Sequence, residues 1–153
     1  MDPRRRPSLT SAARSVFAAY LVVLALVVFL PASQAGQVTG VLDWLAGLAG
    51  DLLGVSADSA YVVLEFAANI VLFVPFGVLA PIAFPRLRLL TVIALGFATS
   101  IVIELVQFAI PSRYPTVSDV IANTLGAAVG CLVVAVVVRR RSTRARALTT
   151  ARS

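Results

Sequence analysis

The sequence predicts an all-α membrane protein: a compact bundle of four transmembrane helices, with an outer interfacial helix between the first and the second. Three observations lead there. Of 153 residues, 59% are hydrophobic and 13% charged, where a soluble domain carries about a quarter charged residues; the mean hydropathy is +0.96. Four apolar runs, each near the roughly 20 residues needed to cross a bilayer, follow one another with short breaks. The basic residues are all arginine and, Arg113 apart, sit at the chain ends and in one short loop, not along a polar helix face, so the net charge of +6 reads as membrane orientation and not as a nucleic-acid surface. The length allows one compact unit and no second domain of size.

Residues 1–14 form a basic cytoplasmic tail with Arg4, Arg5, Arg6 and Arg14. The first span covers about residues 15–31, SVFAAYLVVLALVVFL closed by Pro31, with Arg14 able to snorkel to the headgroups. The same segment has the parts of a cleaved signal peptide: an arginine-rich start, an apolar run and small residues at Ser33 and Ala35. The run exceeds the usual upper length of about 15 residues for a signal core, which favours a retained first helix. Either outcome leaves the following segment on the outer side.

Residues 32–61 hold Asp43, Asp51 and Asp58 and no basic residue. Within them Val38, Val41, Leu42, Leu45, Leu48, Leu52 and Leu53 recur at helical spacing, which predicts an interfacial helix with Trp44 at headgroup depth. Gly40, Gly47 and Gly50 weaken it, and a loop containing a helical turn is the alternative. The second span, about 62–84, contains Pro75 and Gly77, which predict a kink and a carbonyl released one turn back. The third span covers about 89–110 and the fourth about 117–138, where Ala122, Gly126 and Gly130 repeat small residues every four positions and invite close helix approach. Residues 139–153 form an Arg-rich cytoplasmic tail.

Arginine placement orients this chain in the plasma membrane with both termini in the cytoplasm: the N-terminal tail, the turn with Arg86 and Arg88, and the C-terminal tail share one side. Only Arg113 falls on the other. That topology gathers the polar residues of the spans. Glu65 and Asn69 share a face of the second span, Glu104 and Gln107 a face of the third, and Asp119 and Asn123 a face of the fourth. All fall in the outer layer, with Arg113 at its mouth.

Ionisable groups at membrane depth are costly, about 2.5 to 3.5 kcal/mol for Asp on the insertion scale. An interhelical hydrogen bond averages only about 0.6 kcal/mol. Simple helix glue would be served by Ser, Thr or Asn, so the pattern favours an outward-facing polar pocket. The absence of histidine removes the commonest neutral-pH base and metal ligand, the single Cys131 forms no CxxC motif, and no metal motif or cofactor-binding loop is present, so neither metal nor cofactor is expected. Glu104 and Asp119 are the candidate catalytic groups if the site performs chemistry, one serving as general base.

Three stretches carry a resemblance. NIVLFVPFGVLAP from Asn69, IELVQ from Ile103 and RYPTVSDVIANTLGAAVG from Arg113 resemble the VanZ-like membrane protein family, over about the last two thirds of the chain. The resemblance implies a small multi-span protein of the bacterial envelope, from a family associated with low-level teicoplanin resistance. It marks Asn69, Glu104, Gln107, Arg113, Asp119 and Asn123 as recurrent polar positions, and Pro75, Gly77, Gly126 and Gly130 as structural ones. Thr116 and Ser118 stand where the family often carries a further acid, which disfavours a mechanism built on an acidic pair there. Three functions stay open: binding or modulating an envelope component such as a lipid-linked wall precursor or a lipoglycopeptide, enzymatic action on a lipid or lipid-linked precursor, and a structural or partner-binding role without a small ligand. Surrounding membrane lipid is the expected partner in each.

Overall fold

The computed structural model describes residues 9–29, 32–110 and 116–150, with side chains described at 9–29, 40–110 and 116–143. It is a bundle of five helices: α1 (Leu9–Phe29), α2 (Ala32–Leu53), α3 (Ala57–Ala83), α4 (Leu89–Phe108) and α5 (Val117–Thr150). Four of them, α1, α3, α4 and the Val117–Thr143 part of α5, are long and apolar enough to cross a membrane. The helix between the first two spans, α2, does not cross. Large apolar side chains such as Val71, Leu90, Leu105, Phe108 and Leu132 face outward, where lipid tails surround them without the cost that water would impose.

Helix boundaries follow local chemistry. Residues 9–14, polar enough to read as tail, already belong to α1, because TSAAR after Pro7 contains no breaker. Likewise α5 runs on through the arginines to Thr150, since Arg and Ala are strong helix formers and no Gly or Pro intervenes. Residues 32–53 are helical throughout, not a loop with one turn, and residues 33–35 lie inside that helix. At its end Gly54 takes φ +68°, and the Val55 N–H reaches the Gly50 carbonyl at 3.2 Å, a left-handed termination that glycine adopts without strain. Ser56 then caps α3, its hydroxyl accepting from the Ser59 N–H at 3.2 Å.

The core lies where α3 meets its neighbours, around Leu24, Phe73, Phe76, Ala80, Val92, Ile103, Ala127 and Cys131. The widest contact is between α3 and α5, and glycines make it close. A Cβ at Gly77 would collide with the Ala127 carbonyl, one at Gly126 with the Ile70 carbonyl, and one at Gly130 with the Val74 carbonyl. The two backbones therefore touch directly, with no side chain between them.

Polar contacts tie α1 to this pair. The Arg14 Nε donates to the Ala83 carbonyl at 3.1 Å, and its guanidinium lies 5.4 Å from the centre of the Phe84 ring. Helix α3 continues through Pro75 and Pro81. On the turn disturbed by Pro75, the Tyr20 hydroxyl donates to the Leu72 carbonyl at 2.9 Å and lies against the Phe76 amide. A side chain of α1 thus sits in the hydrogen-bond ladder of α3 where the proline loosens it.

Candidate functional site

The bundle has two unlike ends. At one, Arg14 of α1, the turn after α3 with Arg86 and Arg88, and Arg139, Arg140 and Arg141 of α5 collect positive charge, and an open depression of about 630 Å³ is lined by Val137, Arg139, Arg140, Arg141 and Thr143. At the other end, α3 begins, α4 finishes and α5 begins, and there the acids meet.

The start of α5 builds this cluster. Thr116 precedes the helix, and its Oγ1 accepts from the Asp119 N–H at 3.2 Å, so T-V-S-D forms one half of a capping box. In a complete box the acid three residues on would reach back to the N–H of the cap. Here the carboxylate of Glu104, on α4, takes that role: its Oε2 accepts from the Thr116 N–H at 2.9 Å. Asp119 is thereby left to face α3, where its Oδ1 accepts from Asn69 Nδ2 at 2.8 Å. Three helices are joined through side chains at one level. Both acids lie at the amino end of α5, where the helix dipole favours negative charge by about 0.3 to 1 kcal/mol, and they are near enough for their charges to repel.

One turn deeper, the same two helices repeat the pattern with neutral groups. Ser100 stands four residues before Glu104 on α4, and Asn123 four residues after Asp119 on α5, about 6 Å along each axis. Asn123 Nδ2 donates to Ser100 Oγ at 2.8 Å, and both residues are buried, at 4% and 0% exposure. The Asn123 Oδ1 is fully buried and has no hydrogen-bond partner among the described residues.

Gln107 is buried but turns sideways, its Nε2 donating to the Val28 carbonyl of α1 at 2.8 Å. Glu65 is exposed, one turn nearer the start of α3 than Asn69. Arg113 lies outside the described residues. Pro75 and Gly77 sit on α3 where Tyr20 and α5 press against it, and Gly126 and Gly130 lie on the α5 face beneath Asn123. Among the described residues no group of three or more His, Cys, Asp or Glu side chains could hold a metal ion.

Thr116, Ser100, Tyr20 and Arg14 carry contacts that sequence reasoning passed over. The T-x-x-D spacing could have found Thr116. A lone Ser in an apolar run, or the register of α1 on α3, leaves no sequence signal.

The geometry on α3, α4 and α5 can be set beside known proteins. The family model described as VanZ/LLP1 matches residues 17–138. The chain belongs to the VanZ/LLP1 family. Its matched region runs from Phe17 on α1 to Val138, just before the arginines of α5, so it takes in part or all of every helix and the polar residues of the acid end. A relative in Enterococcus faecium, Protein VanZ, is 32% identical over 66 residues, which cover 43% of this chain and 41% of that protein. The match thus spans about two fifths of the relative's length. No solved structure gives a significant match.

Proposed function

We propose that this VanZ/LLP1 family member is a bacterial cell-envelope protein that binds an envelope component from the outer side of the plasma membrane, its termini in the cytoplasm. The ligand class is a lipid-linked wall precursor or a lipoglycopeptide, and through it the protein modulates susceptibility to glycopeptides. What carries this reading is the convergence of Asn69, Glu104 and Asp119 from three helices on one level at one end of the bundle. Helix association alone does not call for two carboxylates there, because neutral side chains give comparable hydrogen bonds. Arg113, in the short segment joining α4 to α5, supplies the cation that meets the ligand's phosphate or carboxylate, a planar fork suited to such anions.

A second reading has its own support. Each carboxylate already accepts a hydrogen bond from the protein, Glu104 from a backbone amide and Asp119 from an amide side chain. A purely structural clamp would make the same bonds. The test is binding of a lipoglycopeptide and of a lipid-linked precursor to the protein in lipid nanodiscs, scored for complex and for product in wild type, Asp119→Asn and Arg113→Ala. The expected outcome is binding without turnover, weakened about tenfold or more in each variant. Product that disappears in Asp119→Asn while binding persists makes this an enzyme, and no binding of either ligand leaves the clamp.

A further inference from the structure

At the arginine end, one cation differs from the others in being held. The Arg14 Nε donates at 3.1 Å to the carbonyl of Ala83, the last residue of α3, and the guanidinium lies 5.4 Å from the centre of the Phe84 ring. These contacts use the Nε–H and one face of the group. The two terminal amino groups, with four N–H donors, have no partner among the described residues, and the side chain is exposed. An arginine ordered in advance loses little rotamer freedom when it takes a ligand.

The turn beside it adds charge. The Leu87 N–H donates to the Phe84 carbonyl at 3.0 Å and the Leu87 side chain packs against the core, leaving Arg86 and Arg88, on either side of it, exposed. The described carboxylates all stand elsewhere: Asp43 and Asp51 on α2, Asp58 and Glu65 early on α3, Glu104 late on α4 and Asp119 at the start of α5. None is placed to neutralise these three cations.

Depth selects the kind of anion. Helices α3 and α5 run parallel, with Gly126 against Ile70 and Gly130 against Val74; the same offset carried along both helices puts Arg139 level with Ala83, to within about one turn. Just short of that level Val16 on α1, Ile82 on α3 and Val136, Val137 and Val138 on α5 are exposed. Apolar surface thus gives way to arginine at one height on three elements, the height at which lipid headgroups lie. We propose that Arg14 grips the phosphate of an anionic phospholipid from the adjoining leaflet through its terminal amino groups, with Arg86 and Arg88 adding charge beside it.

A planar guanidinium donates two parallel N–H bonds to two phosphate oxygens. A zwitterionic phospholipid brings the same phosphate together with a cation, which three arginines repel. Arg139, Arg140 and Arg141 are also exposed, but no bond among the described residues orders their side chains, so they attract anionic lipid without gripping it. This lipid sits at the opposite end of the bundle from the acids, and its binding is independent of any ligand there.

The experiment uses the full chain, titrated with phosphatidylglycerol and with phosphatidylcholine, bound lipid being counted by native mass spectrometry. The first phosphatidylglycerol should bind about tenfold or more tighter than phosphatidylcholine. Arg14→Gln, whose amide can still donate to the Ala83 carbonyl, should weaken it about thirtyfold, the loss of charge-assisted bonds. Arg140→Gln should weaken it no more than about fivefold, the general attraction of one arginine near the surface. Phe84→Leu keeps every charge and removes the ring under the guanidinium, and should still weaken binding about twofold to fivefold. Arg86→Gln combined with Arg88→Gln changes only exposed side chains and should lower the preference for phosphatidylglycerol, which tests the proposal without touching a contact of the fold. Equal losses in Arg14→Gln and Arg140→Gln, with Phe84→Leu unchanged from wild type, would overturn the proposal and leave a diffuse attraction between arginines and lipid. Displacement of the lipid by glycerol phosphate at matched concentration would overturn it in another way, by making the ligand a water-borne anion.

Discussion

The two halves of the bundle are held together by opposite means. Toward the arginine end, α3 and α5 meet because side chains are missing: Gly77, Gly126 and Gly130 let backbone lie on backbone. Toward the acid end, the same two helices and α4 meet through side chains that reach across, Asn69 to Asp119 and Glu104 to the Thr116 amide. The first half is specific in shape and indifferent to polarity. The second is specific in polarity, since each of its bonds needs a donor on one helix and an acceptor on another. The contrast separates what keeps the bundle together from what it presents.

The largest expected effect comes from filling the glycine half. Gly126→Leu drives a side chain into the Ile70 carbonyl and the Phe73 Cβ, and should cost about 3 kcal/mol, the upper end of the range for overpacking, read as a lowered unfolding midpoint in detergent or bicelles. Gly47 on α2 has nothing within 4 Å of an added Cβ, so Gly47→Ala should be neutral or stabilising by up to about 1 kcal/mol. Equal effects at the two sites would remove the shape half of the comparison.

Next in size are the contacts around the start of α5. Thr116→Ala removes the hydroxyl that accepts from the Asp119 N–H and should cost about 1 kcal/mol, with Thr116→Ser restoring most of it. Asp119→Asn keeps an oxygen for Asn69 to donate to. It should leave the unfolding midpoint nearly unchanged while weakening ligand binding about tenfold or more, a split that a structural clamp would not produce.

Smaller still are the bonds that fasten α1. Tyr20→Phe and Gln107→Leu each remove one bond to a backbone carbonyl and should cost about 0.6 kcal/mol each in a bilayer. These bonds, with that of Arg14 to Ala83, also predict that α1 stays in the mature protein; mass spectrometry of the membrane-extracted chain showing cleavage near Ala35 would contradict that. Labelling of single cysteines sharpens the orientation of the two halves: a cysteine after Arg141 should react only once the cytoplasmic face is opened, and one near Asp51 from outside.

The sequence made some of this visible and hid the rest for physical reasons. Four spans show as apolar runs because lipid imposes a length and forbids charge along it. Helix ends showed less well, since α1 from Leu9 and α5 to Thr150 continue in polar residues that are good helix formers. Spacing on single helices drew attention to Asn69, Glu104 and Asp119, but the periodicity of one helix says nothing of which atom on another it meets. Glu65 shares a helix face with Asn69 by spacing and is nonetheless exposed, and Gln107 shares one with Glu104 yet turns to α1. Partners such as the Thr116 amide and the Val28 carbonyl are backbone groups, which every residue carries and no sequence pattern marks. The orphaned oxygen of Asn123 is likewise a property of packing alone.

At the acid end α3 and α5 are joined through the side chains of Asn69 and Asp119. A double-mutant cycle measures it directly: unfolding free energies in bicelles for wild type, Asn69→Ala, Asp119→Ala and the pair together. The bond at 2.8 Å predicts a coupling of about 0.6 to 1.7 kcal/mol, the span found for interhelical hydrogen bonds in membranes. Strict additivity, with coupling below about 0.3 kcal/mol, would mean that the two side chains do not meet and that the acid end is not one site.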